Sequence, residues 1–185
     1  MNKLKSTILF STLLVVMLVC VNQANAQFDP KTNNTKMLTV GAGISGWGVP
    51  LFVRFEAPVA NFITVGGNLS YQSHTKTLTS FTSNKVTAIG INGRGSYHFN
   101  DVFGASNDWD FYAGASLGLY IWKSENLFYS DPLLPPSVVE FSENRLGVAG
   151  HAGARYLINE KIALNLELGG GNLLAGGTIG VTFLL

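Results

Sequence analysis

Apolar residues recur at every second position along four stretches of the chain. In 111–122 one set reads Phe111, Ala113, Ala115, Leu117, Leu119 and Ile121, and the other Tyr112, Gly114, Ser116, Gly118, Tyr120 and Trp122. In 146–158 Leu146, Val148, Ala152, Ala154, Tyr156 and Ile158 alternate with Gly147, Ala149, His151, Gly153 and Arg155. Residues Ile162, Leu164, Leu166 and Leu168 stand opposite Ala163, Asn165 and Glu167, and Ile179, Val181, Phe183 and Leu185 stand opposite Gly180, Thr182 and Leu184. A period of two predicts β-strands. In each stretch the polar set is glycine, small polar groups and a few charges, too lean to fill an apolar core. The pattern therefore predicts a closed sheet with the lean set inside and the apolar set facing lipid.

Four more segments alternate in the same way, which brings the expected strands to eight. They are about 37–45, 50–57, 62 onward and 85–99, the later four being those above, with the fifth starting near Asp110. An even number suits a single-chain bacterial barrel. The connections also sort by parity. With the first strand rising from the periplasm, 58–61, about 100–109 and 159–161 become periplasmic turns. The longer polar or proline-bearing segments 75–84 and 123–144 then lie outside. Aromatic residues fall near both expected interfaces: Phe55, Phe62, Phe99, Trp109, Phe111, Tyr156 and Phe183 below, and Trp47, Tyr71, Tyr120 and Trp122 above.

The N-terminus supplies the compartment. Lys3 and Lys5 precede an apolar run over 8–21, and Ala24-Asn25-Ala26 forms a small-residue cleavage site before Gln27. The run is too short to span a bilayer as a helix and predicts a secretory signal over 1–26. Residues 27–36 form a polar periplasmic lead-in, and the barrel occupies 37–185. Removal of the first 26 of 185 residues leaves 159, with 10 Lys and Arg against 11 Asp and Glu. That balance speaks against a nucleic-acid partner. The single cysteine, Cys20, lies inside the signal, so the mature chain has no disulfide; as a lipidation site it is preceded by bulky Val19 where a small residue is expected.

The chain resembles the small eight-stranded outer-membrane barrels of the OmpA/OmpX type over essentially its whole mature length. Its final residues, Thr178-Ile179-Gly180-Val181-Thr182-Phe183-Leu184-Leu185, match the polar-x-Gly-x-x-apolar-x-apolar pattern of such barrels, with Leu185 where phenylalanine is commoner. The resemblance implies an all-β, eight-stranded antiparallel up-and-down transmembrane barrel in the bacterial outer membrane. It also implies that Thr178, Gly180, Phe183 and Leu185 form the signal read by the barrel-assembly machinery.

Two features bear on function. The upper parts of the third to sixth strands exceed the nine to eleven residues that cross the hydrocarbon. Residues 125–129 and 138–141 flank a proline-rich reversal at 131–136. Two hairpins are expected to stand above the membrane, offering Leu127, Phe128, Leu133, Leu134, Val138 and Phe141 to an extracellular protein or surface, or packing these side chains on one another or on headgroups. Inside, Arg54, Glu56, Arg94, Arg155 and Glu167 point into a lumen only wide enough for side chains, with Arg145 near the upper rim. Each glutamate should contact an arginine, because an unpaired buried charge is costly. Asn68, Asn92, His98, His151 and Asn165 complete a polar interior that plugs the lumen, the alternative being a narrow gated ion path.

Other patterns in the chain fit less well. Gly41-Ala42-Gly43-Ile44-Ser45-Gly46 is a literal G-x-G-x-x-G, but Trp47-Gly48-Val49-Pro50 follows where a nucleotide site needs a helix. Ser96 and His98 share a strand face, which leaves a lipid-modifying barrel enzyme as the alternative activity. Gly46-Trp47 is similar to the G-x-W region of exported lipocalins, though these bury their apolar face. No cofactor is implied, and no histidine–carboxylate spacing suits a metal.

Overall fold

The computed structural model describes residues 35–46, 48–79, 82–100, 108–128, 137–173 and 175–185. Eight strands follow in order: β1 (Met37–Ser45), β2 (Leu51–Ala60), β3 (Ile63–Thr79), β4 (Thr82–His98), β5 (Trp109–Phe128), β6 (Ser137–Asn159), β7 (Ile162–Gly171) and β8 (Ala175–Leu184). Each pairs antiparallel with its neighbour in sequence, and β1 pairs with β8, so the sheet closes into a barrel without an edge at membrane height. The segment expected to be a signal peptide and nearly all of the expected lead-in lie outside the described residues, as do Trp47, Leu133 and Leu134.

The alternation fixes which face turns inward. Leu69, Ile91, Leu117, Leu119, Leu146, Val148, Leu166, Leu168 and Ile179 are all more than half exposed on the outer surface. Arg54, Glu56, Asp110, Arg155 and Glu167 are buried inside. That inversion of the soluble pattern is what a sheet in lipid requires. It also removes the lipocalin reading, in which the apolar face would line the cavity.

Small lumen residues make room for large ones. The Tyr112 ring lies across Gly153, where a Cβ would come within 2.6 Å of its hydroxyl. Tyr120 likewise lies against Gly90, where a Cβ would approach its Cε1 to 2.8 Å. Tyr120 therefore turns into the lumen, so it does not join the upper interface ring predicted for it; its even position on β5 decides this. Trp122, two residues on, lies on the same inward-facing side and borders a cleft with Val86 and Phe141. Below, Trp109 stacks on Phe111 at 5.6 Å and meets Tyr156 at 5.0 Å, while Tyr97 contacts Phe99 at 4.9 Å. These rings form an aromatic girdle at that end.

The two ends of the barrel differ. At the end carrying Met37 and Leu184, β2 continues past the expected 57 to Ala60 through a register shift at Pro58/Ala60. A two-residue turn then follows, in which Phe62 adopts φ 62°. Leu157 and Ala163 pack here with Leu184, and Met37 is fully buried, which seals the lumen. At the opposite end β1, β2, β7 and β8 stop early. Strands β5 and β6 instead run 20 and 23 residues and stay paired from Trp109↔Tyr156 to Phe128↔Ser137. Strands β3 and β4 stay paired over most of their length as well, with one register shift near their upper turn. The excess over a membrane crossing is about twelve residues in β6, the longest strand, roughly 40 Å. The result is a four-stranded wall, β3–β6, rising from one side of the barrel mouth.

Candidate functional site: the lumen and the raised wall

The charged residues of the interior form one connected ladder. Arg54 on β2 reaches across the lumen to Glu167 on β7 with both terminal nitrogens, at 2.8 and 2.7 Å. This bidentate geometry is the strong form of an arginine–carboxylate pair. Arg94 on β4 also donates to Glu167, at 2.8 Å, and its Nε lies 3.2 Å from Glu56. Arg155 bridges onward, donating to Glu56 and, at 2.8 Å, to Asp110. Asp110 Oδ1 is 2.6 Å from His98 Nδ1, and His98 Nε2 is 3.0 Å from the Thr64 hydroxyl. Cations and carboxylates thus alternate along the ladder, three arginines against three acids. His98, between Asp110 and the Thr64 hydroxyl, closes it.

Tyr112 ties the ladder to the wall. Its hydroxyl donates to Glu167 at 2.9 Å and accepts from Asn165 at 2.6 Å, and the Arg155 guanidinium lies 4.2 Å from the ring centre. Asn92 is buried higher in the lumen beside Tyr120, and Asn68 lies across from it in the β3–β4 register. Asp110, Tyr112 and Thr64 were not among the residues singled out from the sequence as ladder members. Parity with Tyr112 places Asp110 on the inward set, but its position as the second residue of β5 hid it as a strand boundary.

Serine and histidine pair differently from the spacing argument. Ser96 Oγ is 2.9 Å from Nε2 of His151, which lies on β6, while His98 turns to Asp110. Ser96 is only 3% exposed and also contacts Glu56 Oε1 at 3.4 Å, so it sits within the ladder layer. Among the described residues no cluster of histidine, cysteine and carboxylates could hold a metal.

Above the ladder the lumen widens into a vestibule of about 150 Å³ that opens at the raised-wall end. The wall itself has two faces. One carries Lys85 paired with Glu125 at 3.7 Å; the other carries Val86, Trp122 and Phe141, with Arg145 donating to Glu143 at 2.7 Å. That exposed contact holds the Glu143 carboxyl below its ordinary pKa and raises Arg145. Phe141 is 63% exposed and Val139 44%. The backbones of Leu127, Phe128 and Val138 are in these strands, while their side chains lie outside the described part. The β6–β7 pairing ends at Ala149↔Gly171, and Asn172 caps the β6 edge at Leu146 and Val148. Beyond that point β6 has no strand partner on this side among the described residues. In β8, Thr178 and Gly180 face inward, whereas Phe183 is exposed, as is Leu185 just beyond the strand.

No family profile matches the sequence, nor does any curated protein. Solved structures do match by shape. The attachment invasion locus protein Ail of Yersinia pestis superposes with a TM-score of 0.55 at 11% identity, covering 82% of this chain and 99% of Ail. A major outer membrane protein from Thermus thermophilus gives 0.57 at 12% identity, with the same coverage. A de novo designed transmembrane β-barrel gives 0.51 at 17% identity, covering 85% of this chain and all of the design. At these identities the likeness is one of fold. The chain has the closed eight-stranded fold of the small bacterial outer-membrane β-barrels.

Proposed function

We propose that this protein is a non-enzymatic integral barrel of the bacterial outer membrane whose raised β3–β6 wall faces outward as an adhesion or partner-binding surface. The observation that carries this reading is the wall: its longest strands are twice a membrane crossing, β6 has an open edge among the described residues, and Phe141 and Val139 are exposed. The ladder supports a structural rather than conductive barrel, because its alternating charges fill the lumen from mid-height to the closed end, where Met37 and Leu157 are also buried. Ail, named for attachment and invasion and solved also with the heparin analogue sucrose octasulfate, lends support to an extracellular partner. During insertion the C-terminal residues Thr178, Gly180, Phe183 and Leu185 engage the assembly machinery.

Removing 123–144 tests the role of the wall. The shortened protein should keep heat-modifiable gel migration while cells bearing it lose attachment to host cells or matrix. Attachment equal to that of the full protein would refute the assignment. An enzymatic role has a separate test. Ser96 lies within the ladder layer, and the vestibule above is too small for acyl chains. Ser96→Ala should leave the lipid A profile of expressing cells unchanged by mass spectrometry; an acyl modification present with the parent and lost in the variant would overturn the non-enzymatic reading.

A further inference from the structure

The vestibule above the ladder has the makings of a ligand site. Its floor offers no free charge: Glu167 takes four arginine hydrogen bonds and one from Tyr112, which occupies the terminal nitrogens of Arg54 and Arg94. An ion arriving there would meet groups already matched. The Nε atoms of Arg54 and Arg94 make no hydrogen bond, but both guanidinium charges are matched by Glu167, and the other unmatched groups lining the space are neutral. The Gln72 amide nitrogen, the Asn68 amide oxygen and the Thr178 hydroxyl are buried without a hydrogen-bond partner, and all three residues line this space. Gln72 is only 4% exposed, and Ser45 donates to its oxygen at 3.1 Å, which leaves the amide NH₂ as an unused donor. Unpartnered buried polar atoms are costly, and native proteins satisfy them with water or a ligand.

Two rings complete the lining, Phe52 on one side and Tyr120 on another. A space of about 150 Å³ holds on the order of ten waters, at roughly 15 Å³ of such volume for each. A single pyranose with its hydroxyls displaces roughly six waters at about 30 Å³ of liquid volume each, so one ring fits within that space. Its hydroxyls can give and take hydrogen bonds, and its C–H faces suit aromatic rings. We propose that the vestibule binds one neutral sugar ring, with Gln72, Asn68 and Thr178 reading its hydroxyls and Tyr120 or Phe52 lying against its apolar face. The inference is independent of the wall's role in adhesion, and its test involves neither cells nor matrix.

The test uses the full barrel in lipid nanodiscs with methyl glucoside, methyl galactoside and N-acetylglucosamine as probes in saturation-transfer NMR. At least one sugar should receive saturation and bind with a Kd in the millimolar range. Gln72→Ala should weaken it about fivefold, the loss of one hydrogen bond. Lys85→Ala, on the far face of the wall, should leave it unchanged. Thr178→Val serves as a second, nearly isosteric variant if Gln72→Ala no longer shows heat-modifiable migration. Repeating the measurement with a long dextran separates a free sugar from the end of a glycan chain, since either can present the same ring. The proposal fails if no neutral sugar receives saturation, or if both variants bind as the parent does.

Discussion

Replacing Arg155 with methionine should destabilise the folded barrel by about 3–5 kcal/mol, the range for removing one partner of a buried ion pair. Arg155 is 1% exposed and is shared by Glu56 and Asp110. Its loss leaves Asp110 facing only His98 and Asn100, and Glu56 facing Arg94 and Ser96. Methionine approximates the volume, so the cost is chiefly that of stranded carboxylates. Urea titration in phospholipid vesicles, followed by tryptophan fluorescence, measures it. The triple variant Arg155→Met, Glu56→Gln, Asp110→Asn should recover a large part of the loss, because the charges would be removed together. A single variant within about 1 kcal/mol of the parent would show that the ladder contributes little to folding.

Leu166→Arg should cost about 2–4 kcal/mol, and Ile162→Arg on the same strand about 0–1 kcal/mol. Both side chains face outward from β7, but Leu166 lies midway along the strand and Ile162 at its closed end. A soluble barrel would show no such gradient, since an arginine on its outer face would remain hydrated at either height. The comparison therefore measures the position of the hydrocarbon slab directly, by the same titration. Equal effects at the two sites would refute a membrane centred on Leu166.

Much of this architecture was readable from the residues because the period of two both marks strands and sorts their faces. Leu164, Leu166 and Val181 are apolar on one side of their strands, while Asn165 and Glu167 mark the other. The continuation of β5 and β6 above the membrane was legible in their length. Two kinds of information were not. Boundaries blurred where turn and strand residues look alike, as at Pro58–Ala60, where a register shift carries β2 on beyond an apparent stop. Partners across the lumen were also hidden. Ser96 meets His151 over Gly114, the side-chain-free residue of β5 that stands between them, at a separation of 55 residues, whereas the nearer His98 pairs with Asp110. Spacing along one strand says which face a side chain occupies, not which strand stands opposite.

The pairing of β1 with β8 sets an order on assembly. Thr39 and Thr182 join by a 2.8 Å hydrogen bond across a separation of 143 residues. Until that seam zips, each half-built sheet carries two raw margins of amide and carbonyl groups, which acyl chains cannot solvate. Partial insertion strand by strand is therefore uphill, and the polypeptide must enter the bilayer as a nearly complete cylinder or be shielded along its open flank until the ends meet.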